Sequence, residues 1–182
     1  MKDLSLHILD IVQNSLEAGA HLIHISIMED TTRNTFVVEV TDDGKGMTKE
    51  MLEKVTDPYV TSRTTRQVGM GIPLFLHTAR QAGGNLHIVS EPGKGTSLTA
   101  TLVHDHIDRP ALGDIAGVVS MLCGANPDRD FVYVHQMDQK QYAFDSREVK
   151  QVLDGMPVSE LPVMRYLKEM IRENLRELSI IN

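Results

Sequence analysis

Three polar side chains recur on one face of the first helix that the sequence predicts, over residues 4 to 19. Asp10, Asn14 and Glu17 stand three and four residues apart, so they point the same way from the helix. A carboxylate and an amide one turn apart can both reach a hydrated cation or an attacking water. The adjoining face of the helix is apolar, so this row borders the core. A solvated polar face has the same pattern, and the helix alone leaves both interpretations open.

A glycine-rich acidic loop, DDGKGM at residues 42 to 47, follows a strand predicted over 35 to 42. Asp42 ends the strand, where its carboxylate can accept a hydrogen bond from an exocyclic amine such as that of adenine. Gly44 and Gly46 allow the backbone to turn sharply and to approach a ligand closely. A tight turn with an acidic tip has the same composition.

A pair of glycines, Gly69 and Gly71, immediately precedes a helix predicted over 72 to 84. Backbone N–H groups and the helix dipole favour an anion at such a position. With Arg63 and Arg66 upstream, the region is suited to a triphosphate. The G-x-G spacing is a weak signal by itself, and neither a Walker A pattern nor G-x-G-x-x-G occurs in the chain.

The predicted elements follow the order helix, hairpin, glycine loop, long loop, helix, hairpin. Strands are predicted over 21–27, 35–42, 85–91 and 96–103, and a short helix capped by Thr48 over 47–55. Strands that are joined directly in pairs, with helices between the pairs, favour an α/β (α+β) two-layer sandwich. We predict a mixed, mostly antiparallel sheet that helices cover on one face.

Four segments in this order, NSLEAGA, DDGKGM, GMGI and GKGT, resemble the motifs of the GHKL superfamily. This is the Bergerat-type ATP-binding fold of gyrase, the heat-shock-90 chaperones, histidine kinases and MutL. The resemblance covers about residues 5 to 103 and implies ATP and Mg²⁺ as cofactors. It implies that Asn14 coordinates the Mg²⁺ ion that bridges the phosphates and that Asp42 reads adenine. Asp10 stands where the ATPase branches carry a water-activating Glu, and it is shorter by one methylene.

The resemblance also implies roles for the remaining residues of the motifs. Gly44 and Gly46 would shape the floor of the adenine pocket, and Met47 would line the base. Arg63 would lie near the terminal phosphates, and the hydroxyl of Thr96 would close the adenine side. The backbone N–H groups that would face the phosphates are those of Gly69, Met70, Gly71 and Ile72.

The chain is expected to divide into an ATP-binding domain over 1–104 and a C-terminal extension over 105–182. The extension is predicted to hold a helix over about 112–123, a hairpin and an amphipathic helical tail with one apolar stripe. The stripe is expected either to pack onto the first domain or to form a dimer face. We expect an unidentified protein partner to bind through this extension, and a homodimer is one form of that expectation.

Composition limits the remaining classes of function. The chain has 182 residues and a net charge of −7, and both parts are acidic, so no nucleic-acid partner is expected. It has a single cysteine and no apolar run near the roughly 20 residues that span a bilayer. Together with an N-terminus unlike a signal peptide, these features predict a cytoplasmic protein without a membrane partner.

Three functions fit this pattern. The first is a Mg²⁺-dependent ATP-binding protein with slow ATPase activity, or an ATP-gated switch, that acts on a protein partner. The second is a stand-alone protein kinase, similar to anti-sigma-factor or histidine kinases, that phosphorylates a partner in trans. The third is a nucleotide-sensing module without catalysis. Asp10 and Glu17 favour the first function over the second.

Overall fold

The computed structural model describes residues 3–56 and 71–178. Its helices are α1 (Leu4–Glu17), α2 (Lys49–Thr56), α3 (Gly71–Gln81), α4 (Ile115–Ala125), α5 (Ser146–Val152) and α6 (Leu161–Glu177). Its strands are β1 (Leu22–Asp30), β2 (Thr35–Asp42), β3 (Asn85–Glu91), β4 (Gly95–Val103), β5 (Asp130–Met137) and β6 (Lys140–Asp145).

The strands form one six-stranded sheet in the order β3-β4-β2-β1-β5-β6. Every neighbouring pair is antiparallel except β1 and β5, which run parallel. Side chains alternate along each strand, so β2 buries Phe36, Val38, Val40 and Asp42 on the face that the helices cover. The predicted fold class, a mixed and mostly antiparallel sheet with helices on one face, is confirmed.

The segment between β4 and α4 fastens the first helix. Backbone N–H groups of Leu4 and Ser5 donate to the carbonyl oxygens of Ala111 and Leu112 at 2.9 and 2.8 Å. The carboxylate of Asp3 accepts a bond from the N–H of Leu6 at 3.1 Å. These contacts satisfy donors that a helix start leaves without partners, and they fix the direction in which α1 presents its polar row.

The C-terminal extension continues the sheet of the first 104 residues, because β5 lies in parallel register with β1 from Leu22↔Asp130 to Glu29↔Met137. The apolar stripe of α6 is buried within the chain, where α6 contacts α4. Gly124 permits this close approach, since a Cβ there would lie 2.3 Å from the sulfur of Met164. The predicted boundary at residue 104 stays a prediction.

Among the described residues, no helix combines the length and the apolar character needed to cross a membrane.

Candidate functional site

Asp42 lies at the end of β2 with a carboxylate that is only 8% exposed. The hydroxyl of Ser15 on α1 donates to Oδ2 at 2.6 Å, and the N–H of Gly44 donates to Oδ1 at 2.9 Å. A carboxylate oxygen can accept more than one hydrogen bond, so each oxygen keeps capacity for a further donor. Asp42 is therefore fixed in orientation while it retains acceptor sites for a ligand.

The neighbouring Asp43 is bonded to the backbone at the start of β1. Its Oδ1 accepts bonds from the backbone N–H groups of His21 and Leu22 at 2.7 and 3.0 Å. Desolvation alone would raise its pKa, but these two N–H bonds outweigh that effect and hold the pKa below its ordinary value. Asp43 thus anchors the loop to the start of β1, whereas Asp42 is the buried carboxylate of the pair.

Two glycines allow the loop after β2 to pack against the turn between β3 and β4. Gly46 has φ +66°, and a Cβ there would lie 2.0 Å from the carbonyl oxygen of Glu91. Gly95 has φ +97°, and a Cβ there would lie 1.9 Å from the carbonyl oxygen of Asp42. Gly44 is buried against Ala18 at the end of α1. The backbone of the acidic loop can therefore lie flat beside Asp42, as a pocket floor requires.

A row of hydroxyl groups continues from Asp42 across the buried face of the sheet. Thr96 pairs with Asp42 across β2 and β4, and its Oγ1 lies 2.9 Å from the Oγ of Ser90. Ser90 also accepts a bond from the backbone N–H of Met47 at 2.8 Å. The structure thus brings Met47 and Thr96 to Asp42, as the motifs predict. Ser90 was not predicted as a site residue, because its place beside Thr96 depends on the pairing of β3 with β4.

The polar row of α1 lies beside the start of α3. A Cβ on Gly71 would lie 3.0 Å from the Cβ of Asp10 and 3.4 Å from its Oδ2, so the two helices touch at this point. Asn14, one turn further along α1, has a buried Nδ2 without a hydrogen-bond partner among the described residues. Glu17 is exposed at the end of α1. Asp10 therefore lies at the start of α3, Asn14 lies one turn further along α1, and Glu17 faces solvent.

The predicted phosphate-binding segment is described only from its last two residues onward. Gly71 and Ile72 form the buried first turn of α3. Arg63, Gly69 and Met70, which the sequence assigns to the same segment, lie outside the described residues. Among the residues described here, the acidic and amide groups of α1, the first turn of α3 and the carboxylate of Asp42 surround one end of the sheet. That arrangement suits a ligand with an amine at one end and an anion at the other.

Comparison with known proteins agrees with this arrangement. The profile of a family described as histidine kinase-, DNA gyrase B- and HSP90-like ATPase matches residues 2–106. Sporulation kinase D of Bacillus subtilis is 32% identical over 95 residues, which cover 52% of this chain and 19% of that protein. The sensor histidine kinase ZraS of Escherichia coli is 29% identical over 96 residues, which cover 52% of this chain and 20% of that protein. The chain thus spans about a fifth of the length of these relatives.

Solved structures share the fold. The MutL ATPase domain of Aquifex aeolicus, complexed with ADP, has a TM-score of 0.53 and 14% identity, and it covers 85% of this chain and 70% of that one. The N-terminal domain of a DNA repair protein has a TM-score of 0.54 and 16% identity, and it covers 79% of this chain and 52% of that one. Both likenesses extend beyond residues 2–106 into the extension. The family profile covers more than half of the chain, and the chain therefore belongs to the histidine kinase-, DNA gyrase B- and HSP90-like (GHKL) ATPase family, with an ATP-binding domain of that type.

Proposed function

We propose that the protein binds Mg·ATP at the Asp42 end of its sheet, hydrolyses it slowly and uses the nucleotide to switch its interaction with a protein partner. The observation that carries this proposal is the carboxylate of Asp42, held by Ser15 and Gly44 with acceptor capacity left over. An oriented, buried carboxylate is the group that recognises the 6-amino group of adenine. Thr96 lies across the strand pair, where its hydroxyl can close the same side of the base.

The polar row of α1 supports binding of the phosphates through Mg²⁺. Mg²⁺ prefers oxygen ligands and keeps several waters, and when bound it neutralises phosphate charge. The Asn14 amide fits this ion, because no protein group among the described residues engages its buried nitrogen and the amide can turn its oxygen to a ligand. Asp10 lies against the start of α3, where phosphates would also collect, and a carboxylate beside a phosphate requires an intervening cation. We include Arg63 and the N–H groups of Gly69, Met70, Gly71 and Ile72 in the proposed phosphate site.

Asp10 is the proposed general base. A base must lie within hydrogen-bond reach of the proton that it removes, either directly or through one water. The α1–α3 contact gives the Asp10 carboxylate a fixed place at the helix start. Its side chain is one methylene shorter than the Glu of the ATPase branches, so we expect slow turnover.

A protein kinase that acts in trans is the second candidate, because the relatives include sporulation kinases and sensor kinases. In that reaction the γ-phosphoryl group passes to a side chain of the partner, and catalysis consists mostly of positioning and charge neutralisation. We further propose that the extension carries the partner-binding surface, that the chain can form a homodimer, and that it functions in the cytoplasm.

Turnover of γ-labelled ATP by the purified protein separates these functions. The ATPase proposal expects phosphate release above background, at least tenfold slower in Asp10→Asn, with both proteins equally stable. Equal rates in the two proteins would contradict the assignment of Asp10. Label that appears on a co-purified protein would favour the kinase function. ATP binding without release or transfer of label would leave the protein as a nucleotide sensor.

A further inference from the structure

We propose that Ser15 is a positioning residue that sets the adenine preference of the nucleotide site by fixing the carboxylate of Asp42. This inference rests on the proposed function, and it assigns the specificity to a residue outside the predicted set. Ser15 follows Asn14 on α1, and its side chain turns away from the polar row into the core, where it is 4% exposed.

The hydroxyl of Ser15 has one hydrogen and two acceptors within reach. Oδ2 of Asp42 lies at 2.6 Å, and the carbonyl oxygen of Ile11, one turn back on the same helix, lies at 3.4 Å. A bond to an ionised carboxylate is shorter and stronger than a bond to a neutral carbonyl, so the hydrogen is committed to Asp42. The contact also joins α1 to the end of β2 through two residues that are 27 positions apart in sequence.

The second carboxylate oxygen is fixed from the opposite side. The N–H of Gly44 donates to Oδ1 at 2.9 Å, and Gly44 is itself buried against Ala18. With one donor on each oxygen, the carboxylate plane cannot rotate without breaking a buried hydrogen bond. Its remaining lone pairs therefore point in fixed directions.

This arrangement makes the base-recognising group an acceptor only. The hydrogen of Ser15 is already used, so the Ser15–Asp42 pair offers no donor to a ligand. A purine with a 6-amino group donates into the fixed lone pairs. A purine with a 6-oxo group presents an oxygen to a carboxylate, and that pairing leaves both groups unsatisfied. Loss of Ser15 would free the carboxylate to rotate and would admit water to Oδ2.

A comparison of two nucleotides isolates this effect. Dissociation constants are measured by calorimetry with Mg²⁺ for ATP and for purine riboside triphosphate, which lacks the 6-amino group, on the wild type and on Ser15→Ala. We expect Ser15→Ala to weaken ATP binding about tenfold and purine riboside triphosphate binding less than about twofold. The ratio of the dissociation constant for GTP to that for ATP should be smaller in Ser15→Ala than in the wild type, by a similar factor.

Two further variants keep the test decisive. Ser5→Ala is the matched control, because Ser5 is also buried on α1 but donates to Asp3 at the helix start, at 2.7 Å. It should leave both dissociation constants unchanged. Ser15→Cys retains the size of the side chain with a weak donor, and it should reproduce the selective loss if Ser15→Ala does not fold.

Each outcome decides the proposal. An equal loss for both nucleotides, or no loss for either, would assign Ser15 a purely structural role and overturn the inference. If the wild type binds neither nucleotide, the proposed function itself fails. That result differs from the failure of Ser15 alone, in which the wild type binds ATP and the variant binds it equally well.

Discussion

The two ends of the β1–β2 pair each bury a carboxylate on the same face of the sheet, and the surroundings of the two groups differ. Glu29 and Asp42 are each 8% exposed. Oε1 of Glu29 contacts Nε2 of His135 and Oε2 contacts Nε2 of His104, both at 2.8 Å. Asp42 accepts hydrogen bonds from the Ser15 hydroxyl and the Gly44 N–H. Asn14, which precedes Ser15 on α1, has a buried nitrogen without a partner among the described residues.

Both oxygens of the Glu29 carboxylate are engaged by histidine side chains. Burial alone would raise the pKa of Glu29, but the hydrogen bonds from His135 and His104 outweigh it and hold the pKa below its ordinary value. Burial raises the pKa of Tyr133 far above its ordinary value, so its hydroxyl keeps its hydrogen and donates to Nδ1 of His135 at 2.7 Å. His135 then donates through Nε2 to Glu29, which fixes its tautomer.

The difference separates a structural polar cluster from a ligand site. The Glu29 cluster joins β1, β5 and the segment after β4 through hydrogen bonds between side chains of the protein itself. Among the described residues, the two buried side-chain polar atoms without a partner are Nδ1 of His7 and Nδ2 of Asn14. Both lie on α1; Asn14 belongs to the proposed nucleotide site, and His7 packs against Phe75 and Thr78 of α3. A buried polar atom without a partner costs stability, and at a functional site a ligand can repay that cost.

Removal of the Glu29 carboxylate should give the largest effect. Glu29→Ala leaves two imidazole N–H groups without their acceptor, and we expect it to lower the free energy of unfolding by about 3 kcal/mol. Urea denaturation measures this change. Glu39→Ala on the open face of the same sheet, where Ser97 donates at 3.2 Å, is the control and should cost less than about 1 kcal/mol. Equal losses in the two variants would contradict the structural role of the Glu29 cluster.

Acid should destabilise the packing of α1 against α3 through His7. This residue is fully buried, stacks on Phe75 at 4.8 Å and has Nε2 at 3.1 Å from the Thr78 hydroxyl. Burial lowers its pKa from 6.5 to about 4, so between these pH values the unfolded chain binds a proton that the folded protein excludes. Stability should fall as the pH decreases through this window, by about 2 kcal/mol at pH 5 relative to pH 7.

His7→Phe tests this assignment, because the ring can still stack on Phe75 but does not titrate. Urea denaturation at pH 7 and pH 5 should show a smaller acid loss for His7→Phe than for the wild type. His87→Gln, at an exposed position of β3, should keep the wild-type acid loss. If His7→Phe loses as much stability as the wild type, another group is responsible.

Replacement of Asn14 should have the smallest effect on stability and a selective effect on binding. Asn14→Ala removes a buried nitrogen that has no partner in the described part of the chain, so the free energy of unfolding should change by less than about 0.5 kcal/mol. Affinity for Mg·ATP should fall about tenfold, whereas affinity for ATP in the presence of a chelator should change little. Calorimetry with and without Mg²⁺ measures both. A large loss of stability would place Asn14 with the structural groups.

Local patterns in the sequence were sufficient for most of the elements. Alternation of apolar residues predicted β2 and β3 with the bounds observed, since each strand has one buried face, and the hairpin predicted in the extension is β5 and β6. The helix predicted from the apolar stripe of the tail is α6, and the separate helix α5 before it was not predicted. Asp154 and Gly155, which lie between α5 and α6, have φ values of 45° and 92°, and Pro157 follows them. Residues in left-handed conformations end a helix. The pattern of apolar residues does not show where such a break occurs.

Contacts between distant segments could not be predicted from the sequence. The Glu29–His135 bond joins residues 106 apart, and the parallel pairing of β1 with β5 places the extension in the same sheet. Ser15 lay inside a recognised motif, but its role depends on the position of α1 over the end of β2. The motifs singled out Asp42, and only the packing of α1 over the end of β2 shows how its carboxylate is held.

The binding of Mg·ATP to the wild type and to Asp42→Asn tests the central claim most directly. The amide would place a donor toward either Ser15 or Gly44, so it cannot accept both of their bonds and still receive the 6-amino group. We predict that the wild type binds and that Asp42→Asn binds at least about 100-fold more weakly while remaining folded. Equal affinities of the two folded proteins would contradict the assignment of this end of the sheet as the nucleotide site.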